Sequence, residues 1–168
     1  MPEEASTLPE QIIPKEEAVF WLDKQGFWRN RHGKFRKPKI IARFHTHIQK
    51  DEHGYYLTQD HPIFREKVYF PYEDTVLFVF HVQNKGQDVV LTLNTGQEVP
   101  LAPDKLFIQD DHLYLDLDGE RVKFSERALV TLSKYMYFDQ KQYGAWIDYQ
   151  GRKWSIPENS AREFESLG

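Results

Sequence analysis

Five of the seven histidines, His32, His45, His47, His53 and His61, fall within one stretch of the chain. Imidazole is both a common metal ligand and the side chain best suited to move a proton near neutral pH. The spacing argues against a metal. His45 and His47 lie on a segment that reads as a helix, where positions two apart point about 200° from one another and cannot close on one ion as an i, i+4 pair would. They are expected on the two shoulders of that helix's apolar stripe. His81 ends the apolar run Val76-Leu77-Phe78-Val79-Phe80. Desolvation there would lower its pKa, and a carboxylate neighbour would raise it and make it a candidate base for a hydrolase. No Gly-x-Ser-x-Gly or comparable nucleophile motif accompanies it. The carboxylates Asp110, Asp111, Asp116, Asp118 and Glu120 sit at turns, which point them into water rather than across a cleft as glycoside hydrolysis requires. Residues 116–120 also lack the full ligand ladder of a calcium loop. No catalytic residue, metal ligand or cofactor is assigned.

A cluster of cations stands above this background. Lys24, Arg29, Arg31, Lys34, Arg36, Lys37, Lys39 and Arg43 follow one another with no intervening acid. The chain as a whole carries −4, so everything outside this run of eight cations carries −12. A molecule so polarised can seat an anion on Arg29, Arg31, Lys34, Arg36, Lys39 and Arg43, with Trp28, Phe27 and Phe35 offered for stacking. The competing reading is intramolecular, with the acidic segments neutralising the basic ones. On balance the residues point to a non-catalytic binding or scaffolding module for a small anion, a peptide or a protein partner. Nucleic-acid binding through residues 24–43 and a hydrolase built on His81 are the alternatives.

The elements that must position these side chains follow from periodicity. Trp21-Leu22-Asp23-Lys24-Gln25-Gly26 and Trp146-Ile147-Asp148-Tyr149-Gln150-Gly151 share Trp, Asp, Gln and Gly at matching positions. Asp followed three residues later by Gly suits a type I turn closed by a left-handed glycine, so each segment predicts a hairpin returning through Trp28 or Trp154. Pro38 opens a helix whose stripe is Ile40, Ile41, Phe44 and Ile48. Short strands are expected at 55–57 and 68–70. From residue 75 to 124 a period of two takes over, with turns at Asn84-Lys85-Gly86-Gln87, Thr95-Gly96 and Asp118-Gly119. Residues 76–80, apolar on both faces, predict a central covered strand. Ser125 caps a second helix with Leu129, Leu132 and Met136 on one face, running out near Phe138.

The sum is an α+β fold, a mainly antiparallel meander with two helices in two small lobes. Residues 1–17, with three prolines and five glutamates, read as a flexible acidic arm. Residues 18–71 form a hairpin and helix lobe with a seam at Pro71, 72–157 a sheet and helix lobe, and 158–168 a polar tail. A chain of 168 residues buries roughly 70% of its unfolded surface, so 40% apolar residues supply a core despite a mean hydropathy of −0.68. The absence of cysteine excludes disulfides, thiolate nucleophiles and sulfur-ligated zinc. No apolar run reaches the roughly 18 residues of a membrane span, and Pro2-Glu3-Glu4-Ala5-Ser6 is unlike a secretory leader. A bacterial, cytoplasmic protein without a membrane partner is expected.

Trp21 to Trp28, the helix after Lys37-Pro38, Gly54-Tyr55-Tyr56-Leu57, and Glu73-Asp74 leading to Leu91-Thr92-Leu93-Asn94-Thr95-Gly96-Gln97-Glu98-Val99-Pro100-Leu101 resemble an uncharacterised bacterial family, domain of unknown function 1285. The likeness runs in order over about residues 18–157, and the Asn94-Thr95-Gly96 hairpin is its most specific part. It implies a compact protein of two small lobes, and no catalytic residues. The opening hairpin and the closing tryptophan segment bear a weaker likeness to uncharacterised protein family 0598. The chain departs from the first family in the polar run Tyr149-Gln150-Gly151-Arg152-Lys153-Trp154.

Overall fold

The computed structural model describes residues 8–139 and 144–159, and the chain divides between Val76 and Leu77 into two units. The first holds β1 (Glu10–Ile13), β2 (Phe20–Leu22), β3 (Trp28–Asn30), β4 (Gly33–Lys34), α1 (Pro38–Thr46), β5 (Gln49–Asp51), β6 (Gly54–Asp60) and β7 (Arg65–Tyr69). These make a four-stranded sheet in the order β1-β7-β6-β5 and a three-stranded sheet β2-β3-β4. Residues 10–13, read from composition as loose arm, form an edge strand parallel to β7, with Glu10 opposite Arg65 and the Arg65 amide bonded to the Pro9 carbonyl at 2.8 Å. An edge strand needs partners on only one side, so a short acidic segment can join a sheet without a core face of its own. The expected seam also moves. Pro71 and Glu73 exchange backbone hydrogen bonds with Leu22, at 3.1 and 2.9 Å, which ties them to the first hairpin.

The two Trp-x-Asp-x-Gln-Gly segments make different turns. In the first, Asp23 is 3% exposed and its carboxylate accepts the amides of Gln25 and Phe27, each at 2.9 Å, while Gly26 takes φ of +89° to close the loop. In the second, Tyr149 pairs directly with Arg152, and Gln150 and Gly151 both have positive φ, at 52° and 77°. That is a two-residue primed hairpin rather than the expected type I turn, and it leaves Asp148 exposed. The strand register, not the motif, chooses between the two.

The first unit's core is aromatic. Trp28, 1% exposed, meets Phe44 and Phe70 edge to face at 5.2 and 5.0 Å, and Phe44 meets Phe20 and Phe35 at 5.1 Å each. Along α1 and just past its end the least exposed line is Ile41, Phe44, His45 and Ile48 at i, i+3, i+4 and i+7, the three apolar residues half-buried, so the helix is rotated from the expected stripe, and His45 is 4% exposed instead of lying on a shoulder. The Trp28 indole N–H donates to Nδ1 of His45 at 3.2 Å, and this accounts for an imidazole in the core.

The second unit holds β8 (Leu77–Lys85), β9 (Asp88–Leu93), β10 (Glu98–Pro100), β11 (Leu106–Gln109), β12 (His112–Leu117), β13 (Glu120–Phe124), α2 (Glu126–Leu132), β14 (Met136–Asp139), β15 (Gly144–Tyr149) and β16 (Arg152–Ile156). Its larger sheet runs β10-β9-β8-β13-β12-β11. Two three-stranded meanders are thus joined through the parallel pair β8 and β13, and β8 is central as its two apolar faces require. β14, β15 and β16 form a second antiparallel sheet. Met136, expected on the helix, begins β14. α2 ends at Leu132, where the Ser133 hydroxyl donates to the Val130 carbonyl at 2.6 Å, and the aromatic run that follows favours a strand. The core gathers Leu91, Leu115, Val122, Leu132 and Ile147, all essentially sealed from solvent. Two helices with strands in mostly antiparallel sheets make this an α+β fold, and no sheet closes into a barrel among the described residues.

Candidate binding site

Of the eight cations of residues 24–43, all but Arg29 are exposed. Arg29 is drawn onto Asp23 at 2.5 Å. Burial alone would push the Asp23 carboxyl up, but the Arg29 guanidinium and the amides of Phe27 and Gln25 outweigh it and hold it below the usual carboxylate range. Lys34 rests on the Phe27 ring, 4.1 Å from its centroid, and Arg31 reaches the neighbouring His32 ring at 3.3 Å. Trp28, offered by the sequence as a stacking platform, is closed off in the core because its ring is the hub of the aromatic cluster. Arg36, Lys39 and Arg43 are exposed. Burial pushes His45 down to about 4, so it stays neutral inside the fold.

His81 also departs from expectation. The register of β8 against β9 slips between Val79 and His81, two residues on one strand answering one step on the other. With that extra residue the core face passes from Val79 to Val82, and His81 turns outward and is exposed. Among the described residues no serine or carboxylate is hydrogen-bonded to it. Among the turn carboxylates, Asp116 accepts the Gly119 amide at 2.8 Å. Asp51 accepts from Lys67 at 2.6 Å and Tyr69 at 2.7 Å, which hold it well below the usual carboxylate range and keep Lys67 charged, so this cluster pins β5 to β7. Among the described residues no group of three or more histidines and acids is placed to hold a metal ion. No helix among them is long and apolar enough to cross a membrane. Trp28 is core, Trp21 donates to Glu73 at 3.1 Å, and Trp146 and Trp154 lie under Lys153 and Arg152.

A built hollow does exist beside α1. A second line on that helix, Ile40, Arg43, Phe44 and His47, again at i, i+3, i+4 and i+7, faces a trough of about 320 Å³. Phe20 of β2, Leu57, Thr58 and Gln59 of β6, and Val68 of β7 make the remaining walls. The Nδ1 of His47 bonds the Arg43 carbonyl at 2.8 Å, which orients the ring from within its own helix. Apolar walls thus carry two basic side chains at one end and a hydroxyl and a carboxamide beside them, the composition of a small-molecule site. Sequence reasoning identified Ile40, Phe44 and Arg43 but assigned the first two to the core and the third to an open patch. Phe20, Leu57 and Val68 carried no signal, since only tertiary packing brings β2, β6 and β7 to the helix. The i, i+3, i+4, i+7 spacing of Ile40, Arg43, Phe44 and His47 was the one legible clue.

An α+β fold of two units, with an apolar trough set into the first, is therefore the kind of protein these features define. Its fold is similar to that of the crystal structure of a DUF1285 family protein from Silicibacter pomeroyi DSS-3, at 14% identity and a TM-score of 0.56, over 98% of this chain and 91% of that one. A DUF1285 family protein from Shewanella baltica OS155 matches at 17% identity and a TM-score of 0.47, over 71% of this chain and 94% of that one. The resemblance read from the sequence is borne out by the Silicibacter pomeroyi structure as a likeness of fold. No family model matches the chain. No curated protein matches it either.

Proposed function

We propose that the chain is a non-catalytic binding module whose ligand is a small amphipathic anion, an acid group carried on an apolar body. The observation that supports this is the second line on α1, which sets Arg43 and His47 on the same side of the helix as Ile40 and Phe44, against Phe20, Leu57 and Val68. An acid group at Arg43 gains a charge-assisted contact, and the apolar body gains about 25 cal/mol for each Å² it removes from water. Calorimetric titration with octanoate tests the reading. Arg43→Ala is expected to weaken binding at least tenfold, and Lys105→Ala, in the second unit, to leave it unchanged. Absence of binding at millimolar octanoate, or loss that ignores Arg43, would sink the reading.

A second reading is nucleic-acid binding through residues 24–43, favoured by the exposure of Arg31, Arg36, Lys37 and Lys39. It expects affinity for an oligonucleotide to fall steeply with salt, and Arg31→Ala with Arg36→Ala to flatten that slope. The burial of Trp28 and the engagement of Arg29 by Asp23 weigh against it.

A further inference from the structure

The trough beside α1 shares part of its wall with a neighbour. A second hollow, of about 380 Å³, is walled by Ile13, Val19 and Phe35 and shares Phe20, Phe44, Gln59 and Val68 with the first. Its charged residues are of the opposite sign. Glu17 and Glu66 line it, where Arg43 and His47 line its neighbour. Glu66 is shared with His61, whose Nε2 lies 3.0 Å away, whereas Glu17 is exposed at the close of the turn that follows β1. A binding surface with a basic end, an apolar middle and an acidic end is complementary to a ligand carrying the reverse pattern. Two carboxamides complete it: Gln59 in the shared wall, with donors and an acceptor suited to an amide, and Asn30 at the acidic end, whose oxygen accepts the His32 amide at 2.9 Å and whose NH2 can donate to a ligand carbonyl. Val19 at one end and Ile40 at the other are 79% and 41% exposed, apolar surface that an occupant would cover.

From this we infer that the first unit takes a zwitterionic ligand, a short apolar peptide free at both ends, with its carboxylate at Arg43 and His47 and its amino group at Glu17 and Glu66. The inference rests on the binding role argued above and adds the second end of the ligand to it. A fatty acid uses only the basic end. A peptide uses both, and it presents amide groups to Gln59 and Asn30 where an alkyl chain presents none. The amino end carries the distinction, because a simple anion has nothing to offer the glutamates.

The experiment is a calorimetric comparison of Leu-Leu-Leu, its N-acetyl form and its C-terminal amide on the full chain. Acetylation and amidation should each weaken binding to the wild-type protein about tenfold. In the double variant Glu17→Gln, Glu66→Gln the penalty for acetylation should vanish while that for amidation persists, and in Arg43→Gln the pattern should reverse. Equal affinity of the free and acetylated peptides for the wild-type protein would overturn the inference. If octanoate still binds through Arg43 in that case, the binding role stands and only the peptide falls. If neither octanoate nor any peptide binds at millimolar concentration, both fall together.

Discussion

Lowering the pH from 7 to 5 is expected to cost the fold about 2 kcal/mol through one side chain, His45. The imidazole is 4% exposed, accepts the Trp28 indole N–H on Nδ1, and is pushed by burial from an ordinary 6.5 to about 4. In the unfolded chain it protonates as the pH falls through 6.5, whereas in the fold it stays neutral until about 4, so between those values the unfolded state binds more protons and acid favours it. At pH 7 both states are largely neutral and the penalty is a few tenths of a kcal/mol at most. At pH 5 the unfolded imidazole is almost fully charged while the folded one is not, and integrating over that interval yields roughly 2 kcal/mol. Buried carboxylates do not confuse the window. Asp23, held below the ordinary 3.8, contributes stability that is lost only as the pH falls below that value. The assay is urea unfolding followed by tryptophan fluorescence at the two pH values, for wild type and His45→Asn. Asparagine keeps a carbonyl oxygen for the Trp28 N–H but cannot titrate, and the remaining six histidines are common to both proteins and cancel in the difference. The variant should lose about 2 kcal/mol less than wild type between pH 7 and 5. Equal losses in the two proteins would refute the argument, since the burial of His45 would then have no energetic consequence.

Asp23→Ala should destabilise the fold by about 2 to 3 kcal/mol, because the amides of Gln25 and Phe27 and the Arg29 side chain lose their acceptor together, whereas Asp148→Ala, at the matching but exposed position, should stay within about 0.5 kcal/mol by the same denaturation assay. Asn94 is 5% exposed, and its side-chain oxygen accepts the buried Phe78 amide at 2.9 Å while its own amide bonds the Phe78 carbonyl at the same distance. Asn94→Ala should therefore cost about 1 to 3 kcal/mol and speed exchange of the Phe78 amide proton, which nuclear magnetic resonance would follow. Ser125 caps α2 by accepting the Ala128 amide at 3.1 Å, so Ser125→Ala should lower stability by about 0.5 to 2 kcal/mol, with Ser125→Asp restoring most of it.

The most specific part of the sequence resemblance now has a physical account. The Asn94-Thr95-Gly96 turn is held by the reciprocal bonds between Asn94 and Phe78, so that motif serves the architecture of the second sheet. The repeated tryptophan motif is a lesson of the opposite kind. Its two copies are alike in residues and unlike in conformation, because strand pairing on either side decides whether aspartate caps the loop or Gln150 and Gly151 make the turn alone. His81 shows the same dependence. Period two would keep it on the face of Val79, and the slip against β9 that moves it off that face is set by the partner strand.

What the chain by itself determined is the local grammar: hairpin positions, Pro38 opening a helix, Ser125 capping another, a central strand at residues 76–80, and an α+β class built from them. These follow from dihedral preference, capping and periodicity, which act over a few residues. Tertiary structure alone decided that His45 is core, that Trp28 is no platform for a ligand, that residues 10–13 join a sheet, and that Phe20, Leu57 and Val68 meet α1 across a trough. Each of those depends on which side of an element meets a segment remote in sequence. The apolar pattern is nearly indifferent among such pairings, and close packing of the assembled chain is not.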